Sequence, residues 1–462
     1  MNRMDGLSRR DFLKGAAIGV AGMALVACAP AAAPAGQQAA SGSQAPISLM
    51  YWHAWTEQWE EMTQFVCDSF NSKNPQLKAE QNVVPGAELM TKLLSSVAAG
   101  NPPDMITVYS AINIPSLTEQ GAILALDDYG SGEDLAAAKD WFHPSIMDMG
   151  SYNGKLWGLS YWQQTSCLGW NKAIFEEAGL DPEKPPASLE ELDEMAEKLT
   201  LEEDGLITRM GHMPTDHWMW AAPFDGSFYD EANRKVTAND PSIVSMFDWM
   251  ASYSQKYDVT KVQAFQQGLA SERAGVLDPF ISGRIAIHEV GGAWKLGDFA
   301  KYAEDGFRYG ITPAPQPGGT KEVTTYSYGD FTVVPKGTKA PTEAWQFVKY
   351  TGGLGGTLED YFTVLTWGER PINVPVTTKM LDYEPFQKML AAYPGFPEMV
   401  DMFLKGDRVL LPPKMPVGTF YQDRLSSARD KVRLLDGTPQ QLMDEVTADV
   451  QSELDKFFAQ QG

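Results

Sequence analysis

Residues 47–110 hold the pattern that most restricts what this chain can fold into. "ISLMYW" (47–52) is a short apolar run with a β-rich tail and reads as a buried strand. Behind it, Thr56 can cap a helix in which Met62, Phe65, Val66 and Phe70 recur at helical spacing. "NPQLKAEQNVV" reads as a turn and a strand, and "GAELMTKLLSSVAAG" as a helix that Gly100 is placed to stop. "PPDMITVYS" is a strand again. Strand, helix, strand, helix, strand demands an α/β fold with a parallel sheet covered by helices.

The alternation continues along the chain. "GKLWGLSYWQQTSCLGWNKAIFEEAGL" gives strands and then a helix, and "SLEELDEMAEKLT" is a capped amphipathic helix. "PSIVSMFDWMASYSQKY" is another helix, and "GRIAIHEV", "FRYGITPAP" and "YGDFTVVPK" read as strands. "TPQQLMDEVTADVQSELDKFFAQ" is a long amphipathic helix near the end, and no short-period repeat is visible. The body of about 415 residues suffices for two or three domains of ordinary size.

The first residues read differently. "SRRDFLK" (8–14) carries an arginine pair, and an uncharged run of 13 residues, "GAAIGVAGMALVA" (15–27), follows. A membrane-spanning helix needs about 20 apolar residues. The run is too short and too rich in Gly and Ala, so residues 1–27 read as a signal peptide. The arginine pair resembles a twin-arginine (Tat) export signal. "LVAC" (25–28) resembles a bacterial lipobox, which implies that Cys28 is the mature N-terminus and the lipidation site of a membrane anchor. Residues 29–45 are almost wholly Ala, Pro, Gly, Ser and Gln without charge. With Cys28 they are expected to form a lipidated, disordered tether over 28–45.

The formal charge is −23; the signal carries four basic and two acidic side chains, so the remainder is near −25. Such a balance argues against nucleic acid or anionic lipid as a partner. It suits a ligand that is neutral or weakly charged, or serves solubility alone. Beyond Cys28 only Cys67 and Cys167 remain, 100 residues apart. Two buried thiols and a disulfide are both open, with the thiols favoured. With no CxxC, no His/Cys cluster and five scattered histidines, no metal site or cofactor is expected.

Several stretches in order resemble the extracellular solute-binding proteins of ABC importers, in the sugar-binding, maltose-binding-protein-like family 1. These are "DSFNSKNPQLKAE", "TKLLSSVAAGNPPDMITV", "LTEQGAILALDDY", "YNGKLWGLSYWQQTSCLGWNKAIFEEAGLDPEKPPASLEEL", "DPFISGRIAIHEVGGAW" and "FTVVPKGTKAPTEAWQFVKY". The resemblance implies a type II, Venus-flytrap periplasmic-binding-protein fold, two α/β lobes joined by a hinge. Carried over, lobe 1 is 46–162 plus 317–372 and lobe 2 is 163–316 plus 373–462. It also implies a monomeric receptor that takes a small carbohydrate outside the membrane and delivers it to an ABC permease.

Ligands of open α/β sheets bind beyond the carboxyl ends of strands. "YWHAWTEQW" (51–59) starts at such an end, which makes Trp52, His53 and Trp55 candidate ligand contacts. Trp55 and Trp59 share helical spacing with Trp52 and have packing on the first helix as their alternative. A sugar offers a C–H face to an aromatic ring and hydroxyls that must keep partners, each unsatisfied one costing about 1–3 kcal/mol. Further candidates are Tyr109 and Ser110 at the end of the third strand, and Tyr161, Trp162, Gln163 and Gln164 at the first crossing. "DHWMWAAPFDG" adds Asp216, Trp218, Trp220 and Asp225. Tyr328 and Asp330 lie in "YSYGDF", and Trp367 and Arg370 in "TWGERP". By resemblance, Trp294 in "GGAW" matches a family tryptophan that stacks on sugar, and Phe420 with Tyr421 a position often aromatic.

The loop after the first strand carries Trp and His where maltose binders of the family have acidic and Lys groups. A sugar or oligosaccharide is therefore expected, but not maltose. Arg370 and His53 would suit a phosphate, so glycerol phosphate or another small polar solute is the alternative. A glycosidase using two carboxylates is the lesser one; no G-x-S-x-G, H-E-x-x-H or P-loop is present.

Overall fold

The computed structural model describes residues 45–269, 278–319, 321–367 and 373–461. The segments expected as signal peptide and tether up to residue 44, Cys28 among them, and Arg370 lie outside the described residues. The strands that build the site are β1 (Ile47–His53), β2 (Leu77–Val83), β3 (Met105–Val108), β4 (Gly158–Ser160), β5 (Gln164–Thr165), β6 (Cys167–Asn171), β7 (Ile287–Val290), β8 (Tyr309–Thr312), β9 (Thr324–Tyr328), β10 (Phe331–Val333) and β11 (Arg408–Leu410).

The first sheet has the order β2-β1-β3-β10-β4. β1 is parallel to β2 from Ile47↔Leu77 to His53↔Val83 and parallel to β3, as the alternation demands. β10 returns antiparallel between β3 and β4. Along β1, Leu49, Tyr51 and His53 are buried while Met50 is exposed and Trp52 half-exposed. Tyr51 packs its ring on Phe347 of the Pro341–Thr351 helix, 5.1 Å between centroids. Each such fully buried side chain contributes about 1.5–3 kcal/mol.

The helix after β1 spans Gln58–Lys73, and Met62, Val66, Cys67 and Phe70 are its buried stripe. Thr56 does not cap it. Glu57 occupies the N-cap position with φ 55 and no side-chain cap bond, and Glu60 and Glu61 complement the first turn instead. Ser188 does cap the Leu189–Leu199 helix, accepting from the Glu191 amide.

A second sheet, β7-β6-β8, is antiparallel, and all five residues of its central strand are buried. A third, β11-β9-β5, holds β9 parallel to β11 and antiparallel to β5. Here the expected continuous strand "YGDFTVVPK" is broken at Gly329 and Asp330, where the chain passes from the third sheet to the first. Gly329 is required there, since a Cβ would stand 2.1 Å from Gln163 Nε2. The boundary expected at 317 puts Thr324–Tyr328 in lobe 1, yet β9 pairs with segments expected in lobe 2.

Three crossings pack side by side. The Gln163 amide donates to Val374 O at 2.9 Å, and Ser327 Oγ donates to Gln163 Oε1 at 3.3 Å and to Gln164 O at 2.8 Å. Tyr361 Oη donates to Tyr161 O at 3.0 Å. One apolar network surrounds the first sheet and runs on through Phe280, Val290, Phe299 and the Phe396–Leu404 helix. Another joins Leu189–Leu199, Pro241–Lys256, Gly418–Arg433 and Pro439–Gln461. Cys67 and Cys167 are both free and buried.

Candidate functional site

Where the crossings meet β1 and the Trp294–Tyr302 helix, a pocket of about 240 Å³ opens. It is lined by Trp55, Trp59, Trp162, Gln164, Trp294, Tyr328, Asp330 and Asn373. Trp55 and Trp59 come from the end of β1 and the start of the first helix. Trp162 and Gln164 come from the first crossing, Tyr328 and Asp330 from the second, and Asn373 from the third.

The loop bearing Trp55 is held from beneath. The Trp55 amide donates to His53 Nδ1 at 3.2 Å, so the proton sits on Nε2, which donates to Gln81 Oε1 at 2.7 Å. Burial lowers the His53 pKa to about 4, and the ring is neutral. Tyr109 Oη accepts from the Ala54 amide one residue on. The Trp55 indole then meets Tyr109 edge-on at 5.3 Å and lies 5.6 Å from Trp162 and 5.4 Å from Trp367. Trp59 meets Trp294 at 6.5 Å and Trp367 at 5.7 Å, both nearly perpendicular. Edge-to-face contacts of this kind lock the rings and leave faces free.

The opposite wall is set by two glycines. A Cβ on Gly292 would stand 1.9 Å from Gln164 Oε1 and 2.8 Å from Trp294. Gly291 O accepts the Tyr328 hydroxyl at 3.0 Å. Among the described residues some polar groups remain without partners: Gln164 Oε1 and Trp367 Nε1 are buried and unbonded. Asp330 is half-buried, and burial pushes its carboxyl up to about 7, with the Trp162 indole pulling weakly the other way. Among the described lining residues there is no Lys, Arg or His.

Six sequence candidates therefore line the pocket: Trp55, Trp162, Gln164, Trp294, Tyr328 and Asp330. Trp367 stands behind it with φ 44, tilted against Trp162 at 4.3 Å. His53 and Tyr109 position the Trp55 loop, and Gln163 is wholly buried in the crossing. Ser110 Oγ accepts from the Ile112 amide at 3.3 Å and serves the next turn.

Others lie elsewhere. Trp52 points to the opposite face of β1 and lines a surface groove of about 580 Å³ with Asn82, Pro102 and Thr338. Trp220 is core, its indole donating to Glu289 at 2.6 Å. Asp225 is exposed and paired with Arg408 at 2.5 Å. Phe420 faces outward at 40% exposure while its neighbour Tyr421 is buried. Trp218 lines a second pocket of about 160 Å³ with Tyr229, Glu231 and Lys414. It is tied to the first by a ring ladder, Trp218 on Tyr326 at 5.8 Å and Tyr326 on Tyr328 at 5.7 Å.

Asn373 carried no sequence signal of its own, because its place depends on the third crossing. Trp59 and Trp162 were visible as aromatics, but their ring directions follow from packing. Among the described residues no group of three or more His, Cys, Asp or Glu is placed to hold a metal ion.

The pattern describing bacterial extracellular solute-binding proteins matches residues 66–397. A putative binding protein of Brucella abortus (strain 2308) is 24% identical over 351 residues, 72% of this chain and 80% of its own length. The sn-glycerol-3-phosphate-binding periplasmic protein UgpB of Rhizobium meliloti (strain 1021) is 26% identical over 294 residues, 59% of this chain and 63% of its own. Among solved structures, CpMnBP1 with mannotriose bound superposes with a TM-score of 0.76 and 27% identity, over 87% of this chain and 100% of that one.

Proposed function

The chain belongs to the bacterial extracellular solute-binding proteins, and from that premise we propose that it is the capture subunit of an ABC importer for a saccharide. The family acts outside the cytoplasm and binds rather than transforms its solutes. One observation carries the sugar reading: the rings of Trp55, Trp59, Trp162, Trp294 and Tyr328 converge on one pocket that also holds Asp330 and Gln164. Flat apolar walls suit the C–H faces of a pyranose, and the unpaired polar groups suit its hydroxyls. A pocket of about 240 Å³ lies just below the usual range of roughly 300–1,000 Å³ for small-molecule sites and fits one or two sugar rings.

A phosphate-bearing ligand fits less well. Phosphate is recognised by Arg, Lys or clustered amides, and the described lining residues supply a carboxyl instead. Glycoside hydrolysis uses two carboxylates, and the described lining has one. In this reading 46–162 with 317–372 and 163–316 with 373–462 form two lobes that close on the ligand, with β9 (Thr324–Tyr328) paired on the second lobe. Cys28 carries the lipid that holds the receptor at the outer face of the membrane, and the closed form presents the sugar to the permease.

Thermal shift and calorimetry with a panel of mono-, di- and trisaccharides test the proposal. A ligand at a hundredfold excess over Kd raises stability by about 2.7 kcal/mol. At least one sugar is expected to raise Tm and quench tryptophan emission. Silence across the panel, with a response to glycerol phosphate, would reverse the assignment.

A further inference from the structure

Among the described lining residues the one ionisable acid, Asp330, faces no lining cation. Among the described residues Asp330 makes no ion pair, and the Trp162 indole favours its charged form. Lys295 lies against the Trp294 ring, 4.8 Å from its centroid, but its ammonium is bound to Asp278 at 2.6 Å. The walls are aromatic faces, whose quadrupoles are negative. The molecule outside adds a formal charge of −23, a field that concentrates cations at a cleft.

We propose that the saccharide taken here bears an ammonium group, paired with the Asp330 carboxylate and seated against the indole faces. The inference rests on the saccharide reading above and deepens it to an amino sugar. With neutral hydroxyls Asp330 has no opposite charge and binds as the neutral acid, because a lone charge in a half-buried aromatic setting is costly. An ammonium supplies both the bonds and the opposite charge, and gains the cation–π attraction of the box. A phosphorylated or carboxylated sugar would be repelled by the same group.

The test is calorimetry of the full chain at pH 7.0 with matched pairs. These are glucosamine, mannosamine and galactosamine, and the β-1,4 glucosamine disaccharide, each against its neutral parent and its N-acetyl form. At least one amine is expected to bind tenfold or more tighter than both neutral partners. Asp330→Asn is expected to bring that ratio near one, while Asp401→Asn, an exposed acid paired with Lys405, leaves it in place. Tm and circular dichroism confirm that each variant is folded. Neutral parents binding as tightly as the amines would overturn the amine inference and leave the saccharide reading standing. Should no sugar of either kind bind, both readings fall together.

Discussion

Asp330 owes its place to backbone topology rather than to a counter-charge, and that makes its stability effect predictable. Its carboxyl titrates near 7 in the fold and near 3.9 in an unfolded chain. Between those values the native state holds a proton that the unfolded state has released, so stability falls as pH rises from about 4 to 7. Asp330→Asn removes this term. The variant is expected to melt a few degrees above the parent at pH 7.5, with the gap closing towards pH 4.5. A constant gap across that range would show that the carboxyl is solvated. At the same scale, Trp294 and Trp52 make a matched comparison. Trp294→Ala removes a ring that faces the pocket and is expected to weaken sugar binding at least tenfold, about 1.4 kcal/mol. Trp52→Ala, on the other face of β1, is expected to change it less than twofold. Calorimetry on both variants separates the two positions.

At the scale of elements, alternation along β1 already contained the answer for Trp52. Side chains in a strand change face at every residue, and Tyr51 and His53 share the face of Leu49. Trp52 could be read off by parity once Leu49 was known to be core, whereas Trp55 lies beyond the strand, where parity no longer applies. The helices at 189–199, 241–256 and 439–461 were legible because capping and apolar spacing are local signals. The break at Gly329–Asp330 was not. It exists because Gly329 must let Gln163 approach, a contact between residues 166 positions apart. Asn373 and the pairing of β9 with β11 were hidden for the same reason. The ladder Tyr328–Tyr326–Trp218 is also a product of elements, since β9 presents alternate tyrosines to the His217–Ala221 helix. It leads from the Trp294 pocket to the one beside Lys414, so in the saccharide reading longer chains should reach Trp218. Trp218→Ala is expected to weaken binding of a tri- or tetrasaccharide severalfold more than that of a disaccharide. An equal loss at every chain length would assign the residue to packing alone.

For the whole molecule, the question is what holds the two halves together around the pocket. Lys414 bridges Asp148 at 2.7 Å and Glu231 at 3.6 Å. Thr419 Oγ1 meets Asn113 Oδ1 at 3.0 Å. Surface ion pairs are worth about 0–1 kcal/mol each, so in the two-lobed reading proposed above these links alone hold a closed form weakly and a ligand adds to them. Gly418 sits at a close approach, where a Cβ would stand 2.7 Å from Ile112 Cγ1 and 2.8 Å from Ile112 O. Gly418 opens the helix Gly418–Arg433, and alanine there favours helix by roughly 0.5–1 kcal/mol. The two effects have opposite signs in the two forms. Gly418→Ala is therefore expected to keep or raise the Tm of the empty protein while lowering sugar affinity, by about tenfold if closure loses about 1.4 kcal/mol. Gly418 is not among the residues lining the Trp294 pocket, so lost affinity with intact Tm isolates closure from ligand contact there. Small-angle scattering supplies the independent reading: the parent should contract on adding saturating sugar, and the variant should need more sugar to reach the same radius. Unchanged affinity in the variant would mean that the Gly418–Ile112 contact persists whether the pocket is filled or empty, and that the closing motion pivots elsewhere.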